Sequence, residues 1–169
     1  RTNTGQMPFA REPVAFHEIV RDAAEDAIVL AQSNQINVEL QAVDSATVLG
    51  DRHRLRQMLL NLTENAAKYN QPNGLIRLSS RNNANHLILE VANTGPGIPS
   101  AEAGRIFERF FRGTNSIARE GVGLGLSIAQ AIARAHHGQI TVETNNLGWT
   151  IFRVFLPTAE AKPSASSSP

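Results

Sequence analysis

The sequence predicts an α+β fold: a two-layer α/β sandwich with a mixed, mostly antiparallel sheet covered by helices on one face. Short segments alternating apolar and polar residues recur at 36–40, 47–49, 75–80, 87–91, 140–143 and 149–156, the period of strands with one buried face. Three stretches with helical periodicity fall between them. Neighbouring strands are close enough in sequence to pair antiparallel, and the helices are then left to cover one side.

The first helix spans about 16–33, where Phe16, Ile19, Val20, Ala23, Ala27 and Leu30 share a face. Ile36–Leu40 reads as a strand half-buried on one face, and Thr47–Leu49 as a second short strand. Asp51 is the expected N-cap of a helix burying Leu55, Met58, Leu59, Leu62 and Ala66. A turn at Pro72–Gly74 leads to two strands joined through Asn82–Asn85. A helix over about 124–135 ends at Gly138. Strands 140–143 and 149–156 form a hairpin across Asn145–Gly148.

Residues 1–13 read as a linker, 14–157 as one domain, and 158–169, rich in Ala, Ser and Pro, as a disordered tail. The 169 residues suffice for one core, with 41% apolar and 18% charged residues. A net charge of +1 and no basic run argue against a nucleic-acid partner. The absence of cysteine excludes disulfides and thiolate metal sites. No apolar run approaches the ~20 residues of a membrane span. The chain starts at Arg1, so it is expected to be part of a longer protein whose membrane segments lie elsewhere.

Four local features carry chemistry. Asn61, Asn65 and Lys68 are spaced i, i+4, i+7 and share one helix face. A carboxamide oxygen can occupy one position on an octahedral Mg2+, and the ammonium can offset phosphate charge; taken alone, the ridge reads first as a solvated polar face with Lys68 in a local ion pair. Gly95 and Gly97 flank Pro96 after a strand, where a backbone turns or approaches a ligand closely. Gly121, Gly123 and Gly125 open a helix, whose free N–H groups and dipole favour an anion. The spacing is neither G-x-G-x-x-G nor a P-loop. Between the clusters, Phe107, Phe110 and Phe111 are costly to leave solvated, and with Arg109 and Arg112 they read as a lid that docks over a phosphate.

In this order and spacing the four features resemble the ATP-binding catalytic domain of bacterial sensor histidine kinases, a Bergerat-fold branch of the gyrase, heat-shock chaperone and mismatch-repair ATPase superfamily. The asparagine helix is similar to the family's N box, the glycine clusters to its G1 and G2 boxes, and Phe107–Phe111 to its F box. The resemblance covers about 13–157 and implies ATP and Mg2+ as ligands. It places Asn65 on the metal with Asn61 near the same shell, and Lys68 and Tyr69 on the nucleotide. Asn93 reads the adenine amine; Gly95, Gly97 and Ile98 shape the adenine side. Gly121, Val122, Gly123, Leu124, Gly125 and Leu126 shape the phosphate side, and Phe107, Arg109 and Arg112 belong to a lid spanning about 96–124. It further implies an acceptor histidine on an upstream dimerisation domain, a response regulator downstream, a monomeric isolated domain within a homodimeric whole, and a cytoplasmic position in an inner-membrane sensor. Two alternatives stay open: an anti-sigma-factor-type serine kinase and a degenerate nucleotide-binding regulatory module.

Two departures matter. The G1 box usually opens with Asp, and Asn93 is a neutral, weaker acceptor. Where ATPase members carry a water-activating Glu, four residues before the metal asparagine, this chain has Asn61. His17-Glu18 lacks the Ser/Thr-Pro of an acceptor motif and reads as part of the first helix. His136-His137 ends a helix, where cations suit the dipole, and neighbouring helical side chains diverge too far to share a metal.

Overall fold

A computed structural model of the chain describes residues 9–98, 100–103, 105–108, 125–145 and 147–159. In chain order these form β1 (Glu12–Ala15), α1 (Phe16–Ala31) with a 3-10 turn at Gln32–Asn34, β2 (Asn37–Val43), β3 (Thr47–Gly50) and α2 (Arg52–Lys68). Then follow β4 (Leu75–Asn83), β5 (His86–Thr94), α3 (Ser100–Ala103), α4 (Gly125–Ala135), β6 (Gln139–Thr144) and β7 (Trp149–Pro157). The main sheet has the order β2-β4-β5-β7-β6. Only β2–β4 is parallel, because α2 lies in the crossover between those two strands; the other three pairings are antiparallel.

Period-2 alternation decides which face of the sheet is covered. Ile76 and Leu78, Leu87, Leu89 and Val91, Ile140, and Phe152, Val154 and Leu156 are all buried, and they form one core with the apolar faces of α1, α2 and α4. The alternate positions face outward. There Arg153 bonds Glu90 at 2.7 Å and also Glu143, and Arg77 lies 4.5 Å above the Trp149 ring. Ala23, Ala27 and Ala31 on α1 are small and buried, which lets α1 pack closely against α2. Helix α2 is capped as expected: the Asp51 side chain accepts from the Arg54 N–H at 3.1 Å.

The architecture agrees with the sequence expectation; several details differ. Glu12 and Pro13, read as linker, belong to β1, which pairs with β3 in a separate two-stranded sheet. Strand β2 is an edge strand and mostly exposed; only Val38 and Val43 reach the core, and Leu40 does not. The β4–β5 connection tightens to Ala84-Asn85, with Ala84 at φ 56°. Thr158 and Ala159, read as tail, are held in place. The Thr158 N–H donates to the Asn85 carbonyl at 3.1 Å and its hydroxyl to the Ala84 carbonyl, while the Ala159 N–H donates to Thr47 O at 2.7 Å.

Helix α4 ends just before Gly138, as expected, and the left-handed residue at its end is not the glycine. His137 takes that conformation at φ 66°. The Gly138 N–H reaches back to Ala133 O at 2.8 Å and the His137 N–H to Arg134 O at 2.9 Å, the paired bonds of a Schellman motif. Gly138 is required for space: a Cβ there would lie 1.9 Å from Phe155 O, where β6 joins β7. His136, expected as a helix-end cation, is buried and hydrogen-bonded at both ring nitrogens.

Gly138→Ala is therefore expected to destabilise the domain by about 2–3 kcal/mol through overpacking. Urea denaturation would show a lower midpoint at unchanged slope; an unshifted midpoint would contradict the close approach.

Candidate functional site

The candidate site is built around the C-terminal half of α2. Leu55, Met58, Leu59, Leu62 and Ala66 point into the core, so Asn61 and Asn65, half-buried, and Lys68, exposed, lie along the other side of the helix. Asn61 is joined to the start of α4: its Nδ2 donates to Gly125 O at 3.1 Å. This brings the α4 N-terminus, whose first N–H groups have no partner within the helix itself, beside the asparagine ridge. Leu126, next in α4, is half-buried and packs against the core.

The other wall is the exit of β5. Asn93 is 5% exposed, in the central strand opposite Ile76 and Thr150. Its Nδ2 donates to the Thr94 carbonyl at 2.8 Å, which commits one amide hydrogen to the backbone; Oδ1 is the acceptor. Gly95 follows at φ 139°, where a Cβ would sit 2.6 Å from the Tyr69 carbonyl oxygen. No other residue type lets this turn lie against the end of α2. Gly97, at φ 83°, passes β6, where a Cβ would lie 3.1 Å from Thr144 Cγ2. Ile98 packs against the core, and its N–H and carbonyl both meet the Thr144 hydroxyl, at 3.4 and 3.3 Å.

A hydrogen-bond clip, absent from the sequence expectations, joins these walls. The Thr94 hydroxyl donates to Asn70 Oδ1 at 2.7 Å and accepts from the Leu75 N–H at 2.9 Å. Asn70 Nδ2 donates to Leu75 O at 3.0 Å, and Asn70 Oδ1 also accepts from the Gln71 N–H at 2.8 Å. The available signal was Asn70 opening the Asn-Gln-Pro-Asn-Gly turn, where such side chains bond nearby backbone; its partner is 24 residues away.

Phe107, expected in a docking lid, is half-buried on the core and meets Phe152 edge-on, with ring centroids 6.1 Å apart. Ile106 beside it is buried. Arg109, Arg112, Gly121, Val122, Gly123 and Leu124 lie outside the described residues, as do Phe110 and Phe111. The structure thus sets Asn61, Asn65, Lys68 and Tyr69 along the C-terminal half of α2, with Gly125 bonded to Asn61 and Gly95 against Tyr69; Leu126, Asn93 and Gly97 lie close to those contacts in sequence.

Residues 50–160 match the family described as Histidine kinase-, DNA gyrase B-, and HSP90-like ATPase. The chain belongs to this family. Within it, the likeness is to sensor histidine kinases. A structure of the mycobacterial sensor histidine kinase MprB superposes with a TM-score of 0.80 at 30% identity, covering 87% of this chain and 98% of that one. The ATP binding domain of PrrB from Mycobacterium tuberculosis gives 0.72 at 25% identity, with 88% and 97% covered. The probable sensor histidine kinase TcrY of Mycobacterium tuberculosis is 36% identical over 169 residues, 99% of this chain and 35% of that protein. The chain spans about a third of the relatives it matches. It is an ATPase-type catalytic domain of the sensor histidine kinase kind, which favours that reading over the serine-kinase and non-catalytic alternatives.

Thr94→Val removes the hydroxyl that joins Asn70 to Leu75. It is expected to cost about 1–3 kcal/mol of stability, because buried polar partners lose their bonds, whereas Thr94→Ser stays near wild type. Thermal denaturation of both variants checks this; equal melting of Val and Ser variants would show that the clip contributes nothing.

Proposed function

We propose that this domain binds ATP with Mg2+ and donates the γ-phosphoryl group to a histidine on a dimerisation domain of the same protein, from which it passes to a response regulator. The observation that carries this is the convergence on the C-terminal half of α2: Asn61 is tied to Gly125 at one wall, Tyr69 and Asn70 abut Gly95 and Thr94 at the other, and Asn65 and Lys68 lie between them in sequence. A nucleotide fits with its adenine at Asn93 and its phosphates toward the α4 N-terminus, where N–H groups and the dipole favour anions.

Among the described residues no group of three or more His, Asp or Glu is placed to hold a metal. The donor set is a carboxamide, which suits a hard cation brought in by the phosphates. Asn65 would supply that oxygen, the bound cation would neutralise charge on the transferring group, and Lys68 would offset phosphate charge. Arg109 and Arg112 are assigned by resemblance to the lid, and Gly121, Val122, Gly123 and Leu124 to the phosphate side. The acceptor imidazole nitrogen forms the N–P bond as the bond to the β,γ-bridging oxygen breaks and ADP departs. Such a transfer requires positioning and charge stabilisation from the protein more than covalent help. Support comes from relatives: full-length ShkA was solved with AMPPNP at a TM-score of 0.79 and 29% identity, and ThkA in complex with the response regulator TrrA. No described helix is long and apolar enough to cross a membrane; on this reading the domain works on the cytoplasmic side of an inner-membrane sensor.

Calorimetric titration with a non-hydrolysable ATP analogue tests the proposal. Binding in the micromolar range, about −7 to −8 kcal/mol, that weakens without Mg2+ is expected; a folded domain giving no heat would refute it. Asn65→Ala should abolish the Mg2+-dependent part of the affinity while leaving the melting temperature within a few degrees of wild type.

Asn93→Asp is expected to move two quantities in opposite directions. A carboxylate accepts more strongly from the adenine amine, so analogue affinity rises. The same carboxylate cannot donate to Thr94 O, so the empty domain loses about 1–2 kcal/mol. Weaker nucleotide binding by this variant would remove Asn93 from the adenine site.

A further inference from the structure

His136 lies at the C-terminal end of α4, 2% exposed and away from the asparagine ridge. Three parts of the chain meet on its ring. Nδ1 is 2.8 Å from the Ile132 carbonyl oxygen, one turn back. A carbonyl only accepts, so Nδ1 carries the proton. Nε2 accepts from the backbone N–H of Asp51 at 3.1 Å. Both nitrogens are satisfied only in the neutral Nδ1–H tautomer. Gly50 makes room for the ring, since a Cβ there would be 2.2 Å from His136 Cδ2. Phe9 lies against the imidazole, centroid to centroid 4.8 Å, and the Arg54 guanidinium lies 5.8 Å from the Phe9 ring centroid. Beside them the Ala10 N–H donates to Asp51 Oδ2 at 2.9 Å, while Asp51 Oδ1 accepts from the Arg54 N–H.

We propose that His136 is a proton-sensitive latch: neutral, it holds the incoming residues Phe9 and Ala10 onto the ends of α2 and α4, and protonated, it lets those two residues go. A proton on Nε2 would point an N–H at the Asp51 N–H, two buried donors face to face. The ring could instead turn its new N–H toward the Asp51 carboxylate. That turn breaks the bond to Ile132 and draws the carboxylate away from Ala10 and Arg54, whose N–H groups hold its two oxygens. Either way the contact that anchors residue 10 is lost.

The charges around the ring are few. Burial is the largest influence and holds His136 below the ordinary histidine range; Arg11 of the incoming segment and His137 on the same helix end act in that direction, and Asp51 acts against it. Burial works to raise Asp51, but the N–H groups of Ala10 and Arg54 and the Arg54 charge outweigh it, so the Asp51 carboxyl is held below its usual range. The folded value of His136 lies below the unfolded one. Its contribution is therefore complete above the unfolded value of about 6.5 and is lost as pH falls through the folded value.

The latch sits where its state matters. Asp51 caps the start of α2, and Asn61 and Asn65 lie farther along it; His136 ends α4, and Gly125 begins it. The two helices that bound the cleft are thus clamped at their other ends by the docked segment. This consequence, unlike the latch itself, rests on the proposed nucleotide site.

NMR of the 169-residue chain, taken from about pH 8 down through the His136 midpoint, tests the latch by the His136 ring tautomer and the exchange protection of the Ala10 and Asp51 amides. The expected result is the Nδ1–H tautomer at high pH. Between the unfolded value of about 6.5 and the His136 midpoint, protection of these two amides, corrected for intrinsic rates, falls by up to about tenfold per pH unit and then levels off, while Leu89 in the central strand keeps its protection. His136→Gln should remove this pH dependence, and Phe9→Ala should lower protection of the same amides at every pH. An Nε2–H tautomer at high pH, protection that stays constant while His136 titrates, or the same pH dependence in His136→Gln would overturn the proposal. Should His136→Gln not fold, the wild-type tautomer and the Phe9→Ala pattern decide between these results.

Discussion

Burial of Leu55, Met58, Leu59, Leu62 and Ala66 against the sheet sets the rotation of α2, because each large side chain in that stripe stabilises the domain by about 1.5–3 kcal/mol and all are essentially inaccessible. Turning the helix to present its asparagines elsewhere would expose several of them together. The polar ridge is therefore a by-product of core packing, and the rest of the cleft is registered to it. At one end Asp51 caps the helix and receives the incoming chain; midway Asn61 fastens the start of α4; at the far end Tyr69 and Asn70 meet the β5 exit. A site assembled on one rigid helix tolerates little relative drift among its parts, which pre-organised ligand binding requires.

The parts of this arrangement that were legible in the sequence are those set by periodicity. The α2 stripe, its Asp51 cap and the strands β4 to β7 each announce themselves within a dozen residues. The parts that were not legible depend on partners far along the chain. β1 has no alternation of its own and exists because β3 lies opposite. Leu40 sits on the phase of a buried residue but occupies an edge strand that the helices only partly cover. Thr94 and Asn70 are unremarkable polar residues until a turn brings them within 2.7 Å. His137 in the left-handed position could not be foreseen, because Gly138 next to it supplies the usual signal for a different reason, the close passage of Phe155 O. In the site, Asn65 and Gly95 were legible from spacing and from strand exit; what holds Asn93 as an acceptor, the Thr94 carbonyl, was not.

Asn61 bears on the chemistry that the proposed site would favour. A hydrolytic member of the superfamily needs a base at that position to activate water. Here the side chain is a neutral amide, which cannot take up a proton at physiological pH, and its Nδ2 is committed to Gly125 O. Glu64 is exposed and directly precedes Asn65, about 100° around the helix from it, and does not occupy the position four residues before the metal asparagine. On the proposed reading the cleft can therefore bind and polarise a triphosphate while offering water no assistance. That leaves the nucleotide for a nucleophile that brings its own reactivity, and an imidazole nitrogen, uncharged near neutral pH, needs no base from the cleft to attack. The substitution that weakens the case for an ATPase thus strengthens the case for a phosphoryl donor.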